Sequence, residues 1–267
     1  MTIFQAVVLG TMQGLAEFLP ISSSAHLSLA PWAFRWDPPG LAFDVALHVG
    51  TLAAVLWYFR RDWVALARAA VVSVRERRLA GPDARRLALL VVGTVPGAAI
   101  GYAFERQAES VFRTPALTAS ALIVMGVILW VVDRRAREDR PLGAMGWRDA
   151  VLIGLAQACA IVPGVSRSGA TITAGRALGY DRTGAATFSF LMSMPITAAA
   201  ATLEAPRALS APDLTPVLVG MVTAAVSGWL AIAVLLRFLQ RRGFGVFAVY
   251  RVALGLAVLA LVWSRTG

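Results

Sequence analysis

Gly10-Thr-Met-Gln13-Gly-Leu-Ala-Glu17-Phe-Leu-Pro20-Ile-Ser22-Ser23-Ser24-Ala-His26 is matched, 144 residues on, by Gly154-Leu-Ala-Gln157-Ala-Cys-Ala-Ile-Val-Pro163-Gly-Val-Ser166-Arg167-Ser168-Gly-Ala-Thr171. In each, an apolar helical run of 16 residues or fewer (3–18 and 150–162) stops at a proline. A serine-rich turn and a second short run follow. Such a run is too short to cross a bilayer, which takes ~20 residues. Helix, break and helix suggest a re-entrant hairpin. Broken backbone at membrane depth is tolerated only inside protein or beside a wet cavity, and binding sites form at such breaks.

Outward from these hairpins lie six longer apolar runs, at about 41–59, 87–104, 116–133, 183–203, 214–236 and 246–263. Gly10, Gln13, Ser22 and Ser24 align with Gly154, Gln157, Ser166 and Ser168, and three runs follow each hairpin. The expectation is an all-α polytopic membrane protein: one membrane domain, 1–267, with six transmembrane helices and two re-entrant helical hairpins. Repeat one is 1–133 (re-entrant 3–33) and repeat two is 149–265 (re-entrant 150–178). Three crossings per half invert the second repeat against the first. Loops 60–86, 134–149 and 237–245 carry eight, five and three arginines, while 105–115 and 204–213 carry two and one. By the positive-inside rule the arginine-rich loops are cytoplasmic and both termini lie outside. The first hairpin then dips in from outside and the second from the cytoplasm, so their tips meet near mid-membrane.

Composition agrees. Of the 267 residues 58% are hydrophobic and 15% charged, against about 25% charged in a soluble domain. The net charge of +10 sits mostly in the short loops, which argues against a nucleic-acid partner. All 25 basic residues are arginine; the absence of lysine excludes a P-loop lysine, a Schiff base or a lysine base. The single cysteine, Cys159, excludes an internal disulfide, and only His26 and His48 are histidine. Residues 1–10 lack a basic n-region and do not read as a removable signal peptide.

The polar residues in the hairpins are the candidates for chemistry. Gln13 and Glu17 share a helix face, and a carboxylate in an apolar segment is costly and usually functional. Ser22, Ser23 and Ser24 open a helix, where one of them caps and the free N–H groups suit a phosphate. His26, within a turn of Ser23, is placed to take a proton from that serine or from water. In the second hairpin Arg167 forks onto phosphate oxygens, with Ser166, Ser168 and Thr171 supplying hydroxyls. Asp44 and His48 share a face that lines the same cavity or the interface. Gln157 is expected to hydrogen-bond between the hairpins. Arg176, Asp181 and Arg182 read as surface residues.

Gln13-xxx-Glu17-Phe-Leu-Pro-Ile-Ser-Ser-Ser-Ala-His26, Pro163-Gly-Val-Ser-Arg-Ser-Gly-Ala-Thr171 and Ala186-Thr-Phe-Ser-Phe-Leu-Met-Ser-Met-Pro195 resemble bacterial undecaprenyl-pyrophosphate phosphatase of the bacitracin-resistance type, in order and spacing along the whole chain. The resemblance implies hydrolysis of undecaprenyl pyrophosphate to undecaprenyl phosphate and phosphate. That recycles the lipid carrier of peptidoglycan synthesis and confers bacitracin resistance. By motif position it implies Ser23 as nucleophile, His26 as base or acid, Glu17 as the essential carboxylate and Arg167 as the phosphate-binding arginine, with Ser166 and Thr171 in support. It implies the bacterial inner membrane, an active site open to the periplasm, and a divalent cation, Mg or Ca, for which Glu17 is the candidate ligand. Gln13 stands where the family accepts Glu or Gln, which weakens position 13 as a charged ligand. The alternative is a transporter or flippase of undecaprenyl phosphate, since inverted repeats with broken helices are a transporter layout. Attack by Ser23 or by water, and the oligomeric state, stay open. Phosphatidic-acid-type phosphatases, which also need a later His, an Asp and an upstream Lys, do not match.

Overall fold

The computed structural model describes residues 1–104, 114–209 and 213–266, with the side chains of 41, 200, 203–209 and 266 left aside. Arg106, Arg113 and the Arg207 side chain, on which the low arginine count of two loops rests, therefore lie outside the described residues.

Among the described residues eleven α-helices follow in order: α1 (Ile3–Phe18), α2 (Ser23–Phe34), α3 (Leu41–Tyr58), α4 (Arg60–Glu76), α5 (Gly81–Ala103), α6 (Pro115–Arg135), α7 (Trp147–Ala158), α8 (Arg167–Ala177), α9 (Arg182–Leu209), α10 (Thr215–Leu239) and α11 (Gly245–Thr266). Among the described residues there is no strand. Each of the six apolar runs falls on a helix. Over the described residues four of these, α5, α6, α10 and α11, are long and apolar enough to cross a membrane. A fifth span requires α3 and α4 to be taken together across a bend of 81°. The chain is accordingly a multi-pass membrane protein, and exposed apolar side chains such as Val95, Val124, Val222, Val234 and Leu256 give the long helices their lipid-facing surface.

The arginine-rich segment 60–86 is not the loop expected. Its first 17 residues form α4, which buries only Leu66. Arginines and apolar residues alternate around it with a helical period, the pattern of a helix lying in the membrane–water interface.

Helix packing follows the repeat in chain order, although the offset of 144 residues at the hairpins is not kept by the later helices. α1 packs on α10, and its counterpart α7 packs on α5, the counterpart of α10. α3 packs on both α10 and α9, and α6 packs on α11. Without a hydrophobic force between helices in lipid, close packing depends on small residues. Gly10 and Gly154 supply it at equivalent points. A Cβ at Gly10 would lie 2.5 Å from the Gly220 carbonyl oxygen, and one at Gly154 would lie 2.1 Å from that of Gly93. Phe18, at the end of α1, meets Phe190 of α9 edge-on at 5.3 Å between ring centres, which brings the first break against the second half of the chain.

Candidate active site

The two breaks are built alike. α1 ends at Phe18 and α2 begins at Ser23, with Ser22 as N-cap accepting from the Ala25 N–H. α8 begins at Arg167, with Ser166 accepting from the Gly169 N–H. Both capping serines have positive φ, 76° and 74°, a region that non-glycine residues rarely occupy. The hydroxyls of Ser22 and Ser24 lie 3.2 Å apart, as do those of Ser166 and Ser168. The Ser168 hydroxyl donates to the Leu19 carbonyl at 3.4 Å, joining one turn to the other.

Between the turns lies Glu17, whose carboxylate is almost fully buried. The Arg167 guanidinium pairs with its Oε1. On Oε2 converge the Ser23 hydroxyl at 2.7 Å and the Gln13 amide at 3.1 Å. His48 Nε2, from α3, lies 3.8 Å from the same oxygen. Arg167 also donates to the Thr197 hydroxyl of α9 at 3.1 Å. The structure therefore gathers Gln13, Ser23 and Arg167 around the Glu17 carboxylate, adds His48 beside it and sets Thr197 against Arg167. A cavity of about 10 Å³ beside Glu17 is lined by Thr51 and Leu52 of α3 and by Ser193, Met194 and Thr197 of α9, room for about one water.

Other expected site residues are placed differently. His26 does not bond to Ser23. Its Nδ1 lies 2.7 Å from the Ser22 carbonyl oxygen, and its Nε2 lies 2.7 Å from the Tyr250 hydroxyl. A carbonyl only accepts, so Nδ1 carries the proton and Nε2 accepts from Tyr250. The two rings are near-parallel, 5.7 Å apart. Thr171 is buried, donating to the Arg167 carbonyl at 2.8 Å with its hydroxyl 2.7 Å from that of Ser189. Ser22 and Ser166 are buried caps, while Ser24 is exposed.

Two expectations are corrected. Gln157 does not bridge the hairpins: both its side-chain polar atoms are buried without a hydrogen-bond partner, and its amide packs where a Cβ on Gly97 would lie. Arg176 is not a surface residue. It is fully buried, donating from Nε to Asp133 at 2.9 Å and from Nη1 to the Tyr180 carbonyl at 2.5 Å. Asp133 sits 43 residues away, so nothing local announces the pair.

Sequence reasoning missed Arg251, and the signal was present: an arginine inside an apolar run is costly unless partnered. It is fully buried on α11. It donates to the carbonyls of Pro20 at 3.0 Å, Gly164 at 2.7 Å, Val165 at 2.9 Å and Leu122 at 3.2 Å. One guanidinium thus holds both turns. The forked donor geometry of arginine makes this feasible.

As for a cation, no group of three His, Cys, Asp or Glu among the described residues could hold one unaided. The Gln13 side-chain oxygen is nevertheless buried without a partner, one turn from Glu17. Two protein oxygens supplemented by phosphate oxygens make a donor set that Mg²⁺ or Ca²⁺ accepts.

The model of a family described as bacitracin resistance protein BacA matches residues 6–257. Among known proteins, an undecaprenyl-diphosphatase of Gemmatimonas aurantiaca is 52% identical over 267 residues, 100% of each chain. One of Moorella thermoacetica is 48% identical over 99% of this chain and 100% of its own. One of Pelotomaculum thermopropionicum is 48% identical over 99% and 98%.

Proposed function

The chain belongs to the bacitracin resistance protein BacA family, and on that premise we propose how its residues serve the reaction. The chain hydrolyses undecaprenyl diphosphate to undecaprenyl phosphate and inorganic phosphate. The observation that carries the mechanism is the run Ser23–Glu17–Arg167, a hydroxyl, a carboxylate that accepts its proton, and a cation for the phosphate.

The diphosphate displaces Glu17 from Arg167, exchanging a guanidinium–carboxylate pair for a guanidinium–phosphate pair. The freed carboxylate then accepts the Ser23 proton as Ser23 Oγ attacks the terminal phosphorus. The bond from that phosphorus to the bridging oxygen breaks, and undecaprenyl phosphate leaves. Water cleaves the phosphoserine, and the proton held by Glu17 returns to the serine oxygen. The first-turn amides of α2 and α8 add positive potential at the phosphates, and Thr197 keeps Arg167 aimed. Positioning and charge supply most of the catalysis in phosphoryl transfer. Gln13 and Glu17 would hold a divalent cation together with the substrate, where it would neutralise phosphate charge. Because the cavity beside Glu17 has room for about one water, α3 and α9 part to admit the phosphates, and the prenyl chain stays in lipid.

The membrane is the bacterial inner membrane, crossed six times, with two re-entrant hairpins in an inverted repeat. The arginine-rich loops face the cytoplasm and the site opens to the periplasm. The twin serine turns, the reciprocal packing of α1 and α7, and the charge of the loops support this arrangement. The product returns to the carrier cycle of the cell wall, and that return underlies resistance to bacitracin.

Phosphate release from a long-chain prenyl diphosphate by purified protein tests the reading, with Ser23→Ala and Arg167→Ala beside the wild type. Release by the wild type alone is expected. Near-normal release by Ser23→Ala would falsify serine attack in favour of direct attack by water. No release by folded wild type would favour transport of undecaprenyl phosphate.

A further inference from the structure

At the arginine-rich end of the bundle, none of whose residues surrounds Glu17, a cavity of about 620 Å³ opens between α6, α9 and the α10–α11 turn. Its wall has two characters. Trp130, Phe238 and Val246 are apolar, and Trp130 and Val246 are exposed. Arg134, Arg182 and Arg242 are cationic.

The charges do not cancel within the protein. Asp133, the carboxylate of this wall, is already saturated: Oδ1 accepts from Arg176 and Arg182, each at 2.9 Å, and Oδ2 from the Phe244 N–H at 3.0 Å. Gly243 fits the turn closely, since a Cβ there would lie 2.6 Å from Asp133 Oδ2. Arg182 is further paired with Glu138 at 2.5 Å. Among the described residues Arg134 and Arg242 have no carboxylate partner. Arg134 is held instead over the Trp130 ring at 4.9 Å. Two uncompensated guanidiniums beside an exposed apolar wall, at the end of membrane-crossing helices, suit an amphiphilic anion. Basic pockets between such helices take phospholipid headgroups, and guanidinium forks match phosphate oxygens.

We propose that this cavity binds a phosphate-bearing anion, the headgroup of an anionic phospholipid. The phosphate lies between Arg134 and Arg242, and the acyl chain runs along Trp130, Phe238 and Val246. The site is independent of the hydrolytic reading.

The test uses full-length protein in neutral detergent with phosphatidylglycerol, phosphatidylcholine or inorganic phosphate. Bound lipid is counted by native mass spectrometry, and the thermal midpoint is followed alongside. Wild type is expected to retain phosphatidylglycerol over phosphatidylcholine. Arg134→Ala/Arg242→Ala should lose about 30-fold of that preference, and each single Gln substitution should lose part of it. These positions are exposed, and an unchanged thermal midpoint without lipid shows the variants folded. Inorganic phosphate that stabilises wild type but not the double variant, and displaces the lipid, would assign the same arginines to free phosphate. Equal retention of the two lipids by wild type, or an undiminished preference in the double variant, would overturn the proposal.

Discussion

Ser22 and Ser166, 144 residues apart, hold the same uncommon backbone conformation, φ 76° and 74°, and cap their helices the same way, each accepting from the N–H three residues on. The pair sets the register of the site. The residue after Ser22 is the hydroxyl Ser23, the residue after Ser166 is the cation Arg167, and both reach Glu17. The two turns thus differ at one position, a hydroxyl in the first and a guanidinium in the second, and both meet the same carboxylate.

Because the serine side chain caps the helix from a strained φ, replacement should depend on the substitute. Ser22→Ala or Ser166→Ala loses the cap and keeps the strain, costing about 1–2 kcal/mol, whereas Gly relieves φ and costs a few tenths. Thermal unfolding of the purified variants checks the order, and Gly less stable than Ala would contradict it.

Glu17→Gln removes both the proton acceptor and the anionic partner of Arg167. Turnover is expected to fall about 10²–10⁴-fold, as for loss of a general base, and stability to fall because a partly buried cation is left unpaired. Phosphate-release rates read beside the unfolding midpoint separate the two effects. A variant that kept near wild-type turnover would remove Glu17 from the chemistry.

Tyr250→Phe deletes the donor to His26 Nε2 and nothing else of similar size. One hydrogen bond is about 1 kcal/mol, so kcat should drop about five- to tenfold with KM little changed if His26 matters through its orientation. Steady-state kinetics decide it, and wild-type kcat would make His26 a packing residue.

Arg251→Ala leaves four carbonyls, two of them in the second turn and one in the first, without their donor. The expected cost is about 3 kcal/mol or more, with activity lost alongside because both turns loosen. Arg251→Lys should recover only part, since an ammonium lacks the fork. Full stability in the Lys variant would show that charge, not geometry, is what the turns need.

Gln13→Glu adds a charge beside an oxygen pair suited to a cation. The half-activating concentration of Mg²⁺ or Ca²⁺ should fall several-fold, because ligand charge tunes affinity. A titration of chelator-treated protein reads it directly, and an unchanged midpoint would take position 13 out of any cation site.

The sequence by itself determined the membrane character, the six apolar runs, the two proline-terminated breaks, the inventory of polar residues inside them and the family. All of these are local properties: hydropathy accumulates over a window, proline removes a donor where it stands, and a motif is read residue by residue. Only the tertiary structure decided who faces whom. Glu17 meets Arg167 across 150 residues and His26 meets Tyr250 across 224, so the serine's partner proved to be the carboxylate rather than the nearby histidine. Arg176 and Gln157 were misread for the same reason. Whether a long polar side chain ends in water, in an ion pair or against a glycine depends on distant segments packed around it, and the one-dimensional pattern does not encode them.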